Sequence, residues 1–148
     1  LSRRAQGFNT TFYVCCNPLY PNTFTFSNPF EAEMLGWYGL SCDYDGMLRW
    51  AYNSWPADPQ YDSRFGNWSS GDTYLIYPFA RSSVRFENLI DGIEVVEKVR
   101  ILQSMDIDTS EIGVILDRIR STDVNDPEQP WLEIVQAARE TLNATSRL

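Results

Sequence analysis

Histidine is missing altogether from this 148-residue chain. Ser-His and Cys-His nucleophile pairs are therefore excluded within it, as is any zinc site built on imidazole. Cysteine is sparse: Cys15, Cys16 and Cys42. Two adjacent cysteines make a poor disulfide, because the bridge strains the peptide between them. No second pair lies at zinc-ligand spacing. The three are read as small thiols buried in a core, and no metal or cofactor is expected. Basic side chains are few, 12 against 20 acidic ones, for a net charge of -8. Phosphate binding needs a basic face, so nucleic acid is not an expected partner. No apolar run nears the ~20 residues that cross a bilayer, so no membrane partner is expected. No signal-peptide pattern opens the chain. It begins at Leu1 without Met, which suits a mature form or a piece of something longer.

Aromatic residues are plentiful but unevenly spread: beyond Phe86 only Trp131 remains. The first part is rich in rings, proline and glycine, and the second is helical in pattern. The length suits one domain with a core. Residues 10–16, TTFYVCC, are β-branched and aromatic and read as a strand, ended by Asn17-Pro18. A helix follows, capped by Ser27 or Asn28 with Pro29 at its first position, and ends at Gly39 or in the region 41–43, with Phe30, Met34 and Trp37 on one face. Asp45-Gly46 marks a turn, and residues 47–52 form a second strand. Strand, helix, strand favours a parallel pair with a crossover. Residues 54–72 make a loop longer than a simple connection, and Tyr61, Phe65 and Trp68 argue against its being disordered. Residues 73–78, TYLIYP, read as a short extra strand. Ser82 or Ser83 can cap a long helix to about Met105, with Phe86, Leu89, Ile93, Val96 and either Val99 or Leu102 on one face. Gly92 inside it suggests close packing against another element, since glycine there costs ~1 kcal/mol relative to alanine. Two amphipathic helices complete the chain. One carries Ile112, Ile115, Leu116 and Ile119; the other carries Trp131, Leu132, Val135, Ala138 and Leu142.

The stretch GMLRWAYNSWPADP, residues 46–59, crowds rings where a strand stops. Trp50 and Tyr52 share a face by the period of two. Asn53 and Trp55 lie just past the strand end, where β/α layouts place ligands. A sugar offers an apolar C–H face to a tryptophan and a rim of hydroxyls to Asn or Asp. Asp58, Asp62, Asn67, Trp68 and Asp72 add the same chemistry in the adjoining loop. Core packing or a protein interface uses these rings too.

Carboxylate pairs for glycoside hydrolysis are not evident: no adjacent Asp-Glu ends an expected strand. Glu31 and Glu33 read as solvated or dipole-complementing groups at a helix start. Asp43 and Asp45 read as turn residues. Glu87, Asp91, Glu94 and Glu97 form a charged helix face that Arg85, Lys98 and Arg100 can pair with.

GMLRWAYNSW, GDTYLIYP and SVRFENLIDGIEVVE, in that order, resemble the C-terminal part of glycoside hydrolase family 123 and its uncharacterised relatives. The resemblance covers about residues 10–105. Its most specific pieces are Gly71-Asp72 with Tyr77-Pro78, and Arg85, Glu87, Asp91-Gly92-Ile93-Glu94 and Glu97. Val95 and Val96 depart from the pattern, which more often has an acidic residue and an aromatic there. The resemblance implies a (β/α)8-barrel (TIM barrel) hydrolase acting on β-linked N-acetylgalactosamine, with retention through substrate assistance. The catalytic Asp-Glu pair would lie on an earlier strand and has no counterpart here.

The expected fold is thus α/β: a partial (β/α)8-barrel segment over residues 1–105, with two parallel barrel strands, their helices and an extra short strand. A helical tail over 106–148 packs on the same unit. The expected function is the C-terminal portion of a β-N-acetylgalactosaminidase-like hydrolase, inactive alone. Trp50, Tyr52, Asn53, Trp55 and Asp72 are the expected substrate-binding residues, and no catalytic residue is assigned. The expected partners are a carbohydrate and either the missing N-terminal barrel portion or a second copy, because a piece of barrel leaves sheet edges unpaired. A non-catalytic carbohydrate-binding module and a structural or protein-interaction domain are the alternatives. The family is compatible with export, as are the N-x-S/T sites at Asn9, Asn67 and Asn143.

Overall fold

The computed structural model describes residues 3–147, so the chain start, on which the processed-form expectation partly rests, lies outside the described residues. The architecture is mixed α/β. After a short 3-10 turn at Arg4–Gln6 come strand β1 (Thr11–Tyr13), helix α1 (Phe30–Ser41) and strand β2 (Gly46–Leu48). Helices α2 (Val84–Ser104), α3 (Ser110–Ser121) and α4 (Trp131–Thr145) follow. β1 and β2 pair in parallel, with Thr11 opposite Gly46, Phe12 opposite Met47 and Tyr13 opposite Leu48. The crossover through α1 is the one the sequence pattern implies.

Pleat alternation gives the two strands unlike faces. Phe12 turns its ring edge-on to Tyr38 of α1, centroids 5.4 Å apart. Tyr13 and Leu48 point the other way and remain 50% and 56% exposed.

The second strand is shorter than expected. It stops at Leu48 rather than Tyr52, because β1 ends at Tyr13 and the chain then bends away through Cys15–Tyr20. A strand without a ladder partner has nothing to satisfy its backbone groups. The extra strand at 73–78 does not form either. That segment makes only single antiparallel bridges, Asn53 with Tyr74 and Tyr77 with Arg81. Gly71 at φ 83, Phe79 at φ 63 and Ala80 at φ 56 fold the chain back at both ends, leaving no extended run between them.

α1 is the hub. Its Met34 and Trp37 share one buried cluster with Val95, Val99 and Leu102 of α2, Ile112 and Ile119 of α3, and Trp131, Ile134, Val135, Ala138 and Leu142 of α4. Asn28 and Asn22 donate backbone N–H groups to Glu31 at 2.7 and 2.9 Å, which closes the first turn of α1. Burial pushes the Glu31 carboxyl up from its ordinary pKa, against those two hydrogen bonds. Neither Glu31 nor Glu33 is solvated: Glu31 is buried at the start of α1, where it complements the helix dipole, and Glu33 is fully buried. It pairs with Arg139 of α4 and accepts the Trp37 indole N–H at 3.1 Å.

Ser83, not Ser82, caps α2, accepting the Phe86 N–H at 3.1 Å. The inward face of α2 agrees with the expected one at Val99 and Leu102 and is rolled away from it elsewhere. Arg85, Gly92, Val95, Val99 and Leu102 are buried, while Ile93 is 54% exposed. The reason lies at Gly92, as the glycine signal suggested. A Cβ placed on Gly92 would lie 2.9 Å from the Glu33 carbonyl oxygen, and one on Gly36 would lie 2.8 Å from the Gly92 Cα. The two backbones touch there, and that contact fixes how α2 is rolled. In α4, Ile134 is buried in the place expected for Leu132, which is exposed. The cysteines are not core thiols: all three are free and half-buried. Among the described residues no helix is long and apolar enough to cross a membrane.

Candidate functional site

The ring-rich segment after β2 is held by a buried ion pair. Arg49 follows the strand and turns its guanidinium into the protein, where Nη2 meets Asp72 Oδ1 at 3.1 Å. The same nitrogen donates to the Asp72 carbonyl at 2.7 Å, and Nη1 donates to the Val14 carbonyl at 3.4 Å. Burial lowers the Arg49 pKa and the nearby Asp72 opposes that shift. The other Asp72 oxygen accepts the Trp50 indole N–H at 3.3 Å. Asp72 is fully buried. It therefore fixes Trp50 from behind and offers no edge to solvent.

Trp50 leans on Trp68 of the long loop, ring centroids 4.8 Å apart at 45°. The two indoles stay 43% and 47% exposed. Tilted, half-open indoles present apolar faces outward while the indole N–H of Trp50 is satisfied inward.

Tyr52, Asn53 and Trp55 lie on an adjoining strap, zipped to residues 73–76. Ser54 donates its N–H to the Thr73 carbonyl at 3.0 Å, and Leu75 donates to the Tyr52 carbonyl at 2.8 Å. Tyr52 and Asn53 are exposed. Trp55 is half-buried and gives its indole N–H to the Ile76 carbonyl at 2.7 Å. Among the described residues no hydrogen bond or ring contact joins Tyr52, Asn53 or Trp55 to the Trp50–Trp68 pair. The fold thus joins Trp50 and Asp72 directly and sets the other three beside them.

Two arginines, Arg49 and Arg85, turn inward, which their sequence context does not indicate. Arg49 was hidden inside an expected strand. Arg85 was read as a surface partner for helix carboxylates, yet it is buried at the start of α2. Its Nη1 donates to the carbonyls of Thr23, Gly71 and Tyr74, the last two at 3.0 Å. Its guanidinium carbon lies 5.2 Å from the Tyr74 ring centre. A cation at a helix N-terminus opposes the macrodipole, so loop carbonyls and not the helix account for its place. The resemblance quoted Arg85 and Gly71-Asp72 together, which was the available signal.

Several other carboxylates have structural occupations. Asp58 accepts the N–H groups of Gln60 and Tyr61 at 3.2 and 3.3 Å. Hydrogen bonds from Arg64 pull Asp62 down to about 2. Asp43 and Asp45 both pair with Arg4. Glu97 pairs with Arg100 at 3.4 Å, and Lys98 reaches Asn143 of α4 at 2.9 Å. Among the described residues no group of three or more Cys, Asp or Glu side chains could hold a metal ion.

A solved structure of a family 123 glycoside hydrolase from Clostridium perfringens, described for glycolipid glycan hydrolysis, superposes with a TM-score of 0.81 at 25% identity. The match covers 99% of this chain and 29% of that one, so this chain spans under a third of the neighbour's length. No curated protein matches. The model of the glycoside hydrolase 123 catalytic domain matches residues 1–102. With that match over most of the chain, carried on the fold just described, this chain belongs to glycoside hydrolase family 123.

Proposed function

We propose that the chain is the closing segment of a (β/α)8-barrel glycoside hydrolase acting on β-linked N-acetylgalactosamine. It supplies aromatic sugar contacts and not the catalytic Asp-Glu pair. Residues 1–105 are the barrel segment and 106–148 a helical tail packed on it. Trp50, Tyr52 and Asn53 meet the sugar. Trp55 borders the same binding face, and Asp72 stands behind that face and acts through the Trp50 indole.

The observation that carries this reading is the Trp50–Trp68 pair, half open at the C-terminal end of a parallel strand pair and locked by a buried carboxylate. In parallel β/α folds ligands bind at that end. A second observation supports the barrel. The outer edge of β2 has no strand partner among the described residues. Beside it lies an apolar hollow of about 310 Å³, lined by Phe12, Leu35, Met47, Leu89, Ile93 and Val96. The next strand and helix of the same barrel are its proposed occupant, because the neighbour is more than three times longer than this chain. An independent carbohydrate-binding module would use the same indoles, but it gives the hollow and the free edge no purpose.

The test is hydrolysis of an aryl β-N-acetylgalactosaminide by the chain alone and by a longer polypeptide that supplies the rest of the barrel. The chain alone is expected to be inactive and to self-associate in light scattering. The longer form is expected to be active and monomeric. Trp50→Ala in the longer form should raise KM about fivefold to tenfold, since a lost ring contact is worth ~1 kcal/mol. Activity of the chain alone, or an unchanged KM in that variant, would overturn the reading.

A further inference from the structure

Cys15 and Cys16 stand outside the sugar reading. They follow β1 after a single residue, Val14, with Tyr13 the last residue of the strand. Both thiols are free and half-buried, and their sulfurs lie 3.5 Å apart. A disulfide brings sulfurs to about 2.05 Å. The gap is therefore small enough for local torsion to close it.

The pair is chemically uneven. Burial opposes ionisation of Cys15, yet backbone N–H groups of Asn17 and Cys16, the Cys16 thiol and the Tyr13 hydroxyl together outweigh it and lower its pKa. The hydrogen bond to Cys15 and burial raise that of Cys16. Cys15 is the more readily ionised sulfur of the two, and Cys16 is held against it. Thiolate character and access are what make a cysteine react.

The position has a further consequence. Val14, the residue before the pair, gives its carbonyl to Arg49, whose guanidinium also holds Asp72, which in turn holds Trp50. A change of backbone at residues 15–16 is thus one hydrogen bond, Val14 to Arg49, away from the buried ion pair behind the indole.

We infer that Cys15–Cys16 is a site of reversible thiol–disulfide exchange with small disulfides, closing to a vicinal disulfide. The Cys15 thiolate attacks one sulfur of the small disulfide. A mixed disulfide forms and one small thiolate leaves. That thiolate takes the Cys16 proton, and the Cys16 sulfur attacks the Cys15 sulfur. The Cys15–Cys16 bond forms as the mixed disulfide breaks and the second small thiolate departs. The two cysteines are oxidised by two electrons and the small disulfide is reduced to two thiol equivalents, one of them protonated. The strain of an adjacent bridge makes this bond easy to reduce, which is what reversibility requires.

The experiment treats the chain with oxidised glutathione and follows intact mass, free-thiol count and peptide mapping. The expected wild-type product has lost two hydrogens and two of its three thiols, carries no glutathione and maps to one peptide containing both cysteines. Dithiothreitol restores it. Cys42→Ser should behave identically. Cys16→Ser should stop at a stable glutathione adduct on Cys15, and Cys15→Ser should react at least tenfold more slowly. A wild-type product that keeps its adduct, a Cys42-linked dimer, or no reaction would each overturn the proposal. None of these readouts depends on sugar binding.

Discussion

Gly36→Ala lowers the stability of the chain by about 3 kcal/mol or prevents folding, the largest effect expected of adding a single methyl group. The methyl would land on the Gly92 peptide, 2.8 Å from its Cα, nearer than real Cβ atoms approach any neighbour. Both sides of the clash are backbone, so no rotamer can relieve it. Only separation of α1 from α2 can, and that opens the cluster of Met34, Trp37, Val95 and Val99. Helix propensity pushes the opposite way, since alanine is normally favoured over glycine mid-helix by ~1 kcal/mol. The sign of the measured change is therefore diagnostic. Gly113→Ala in α3 is the control: nothing lies within 4 Å of its added carbon. Urea unfolding followed by far-ultraviolet circular dichroism should show an earlier midpoint for the first variant and an unchanged or later one for the second. A midpoint for Gly36→Ala at or above wild type would mean that the helices do not cross at these glycines.

Asp72→Ala is the second large effect, a loss of about 3–5 kcal/mol. The side chains of Arg49 and Asp72 are 5% and 0% exposed. Removing the carboxylate leaves a guanidinium buried without its counter-charge, and Arg49 Nε already has no partner. It also strips the acceptor from the Trp50 indole. Replacing both ends with apolar groups removes the stranded charge. The double variant Arg49→Met, Asp72→Ala should therefore be more stable than Asp72→Ala alone, by a margin that a double-mutant cycle in urea reads directly. Additive losses would show that the pair is not coupled. A sugar-binding defect that persists in the double variant would separate the indole's positioning from the chain's stability.

The helices were largely readable because their signals are local. Ser83 before a periodic run, Pro29 and Glu31 at the start of α1, and Gly92 at a close approach each carry information within a few residues. The faces of α3 and α4 repeat at helical spacing, with Leu132 the exception. α2 was harder. Leu89, Ile90, Ile93, Val95, Val96, Val99, Ile101 and Leu102 lie nearly all round it, so periodicity alone does not select the inward face.

The strands were legible as places and not as lengths. Residues 11–13, Thr-Phe-Tyr, have a β-forming sequence, but a ladder lasts only as long as both chains run side by side. TYLIYP has strand composition and forms no strand, because its ends are folded back by positive φ values. At the candidate site, Trp50 and Asp72 were legible as residue types suited to sugar. Their direct hydrogen bond was not, since it joins positions 22 residues apart.

By itself the sequence determined the helix positions, the parallel strand–helix–strand order, the ring-rich loop and membership in a hydrolase family. Those features rest on local propensity, periodicity and motif order, all written along the chain. That Arg49 and Arg85 go inward, that Asp72 stands behind Trp50, and that Gly36 and Gly92 set the roll of α2 follow from the packing in three dimensions. Each of those depends on which distant group a side chain meets, and burial makes that meeting compulsory: a charge taken from water must find its partner, wherever in the sequence the partner lies.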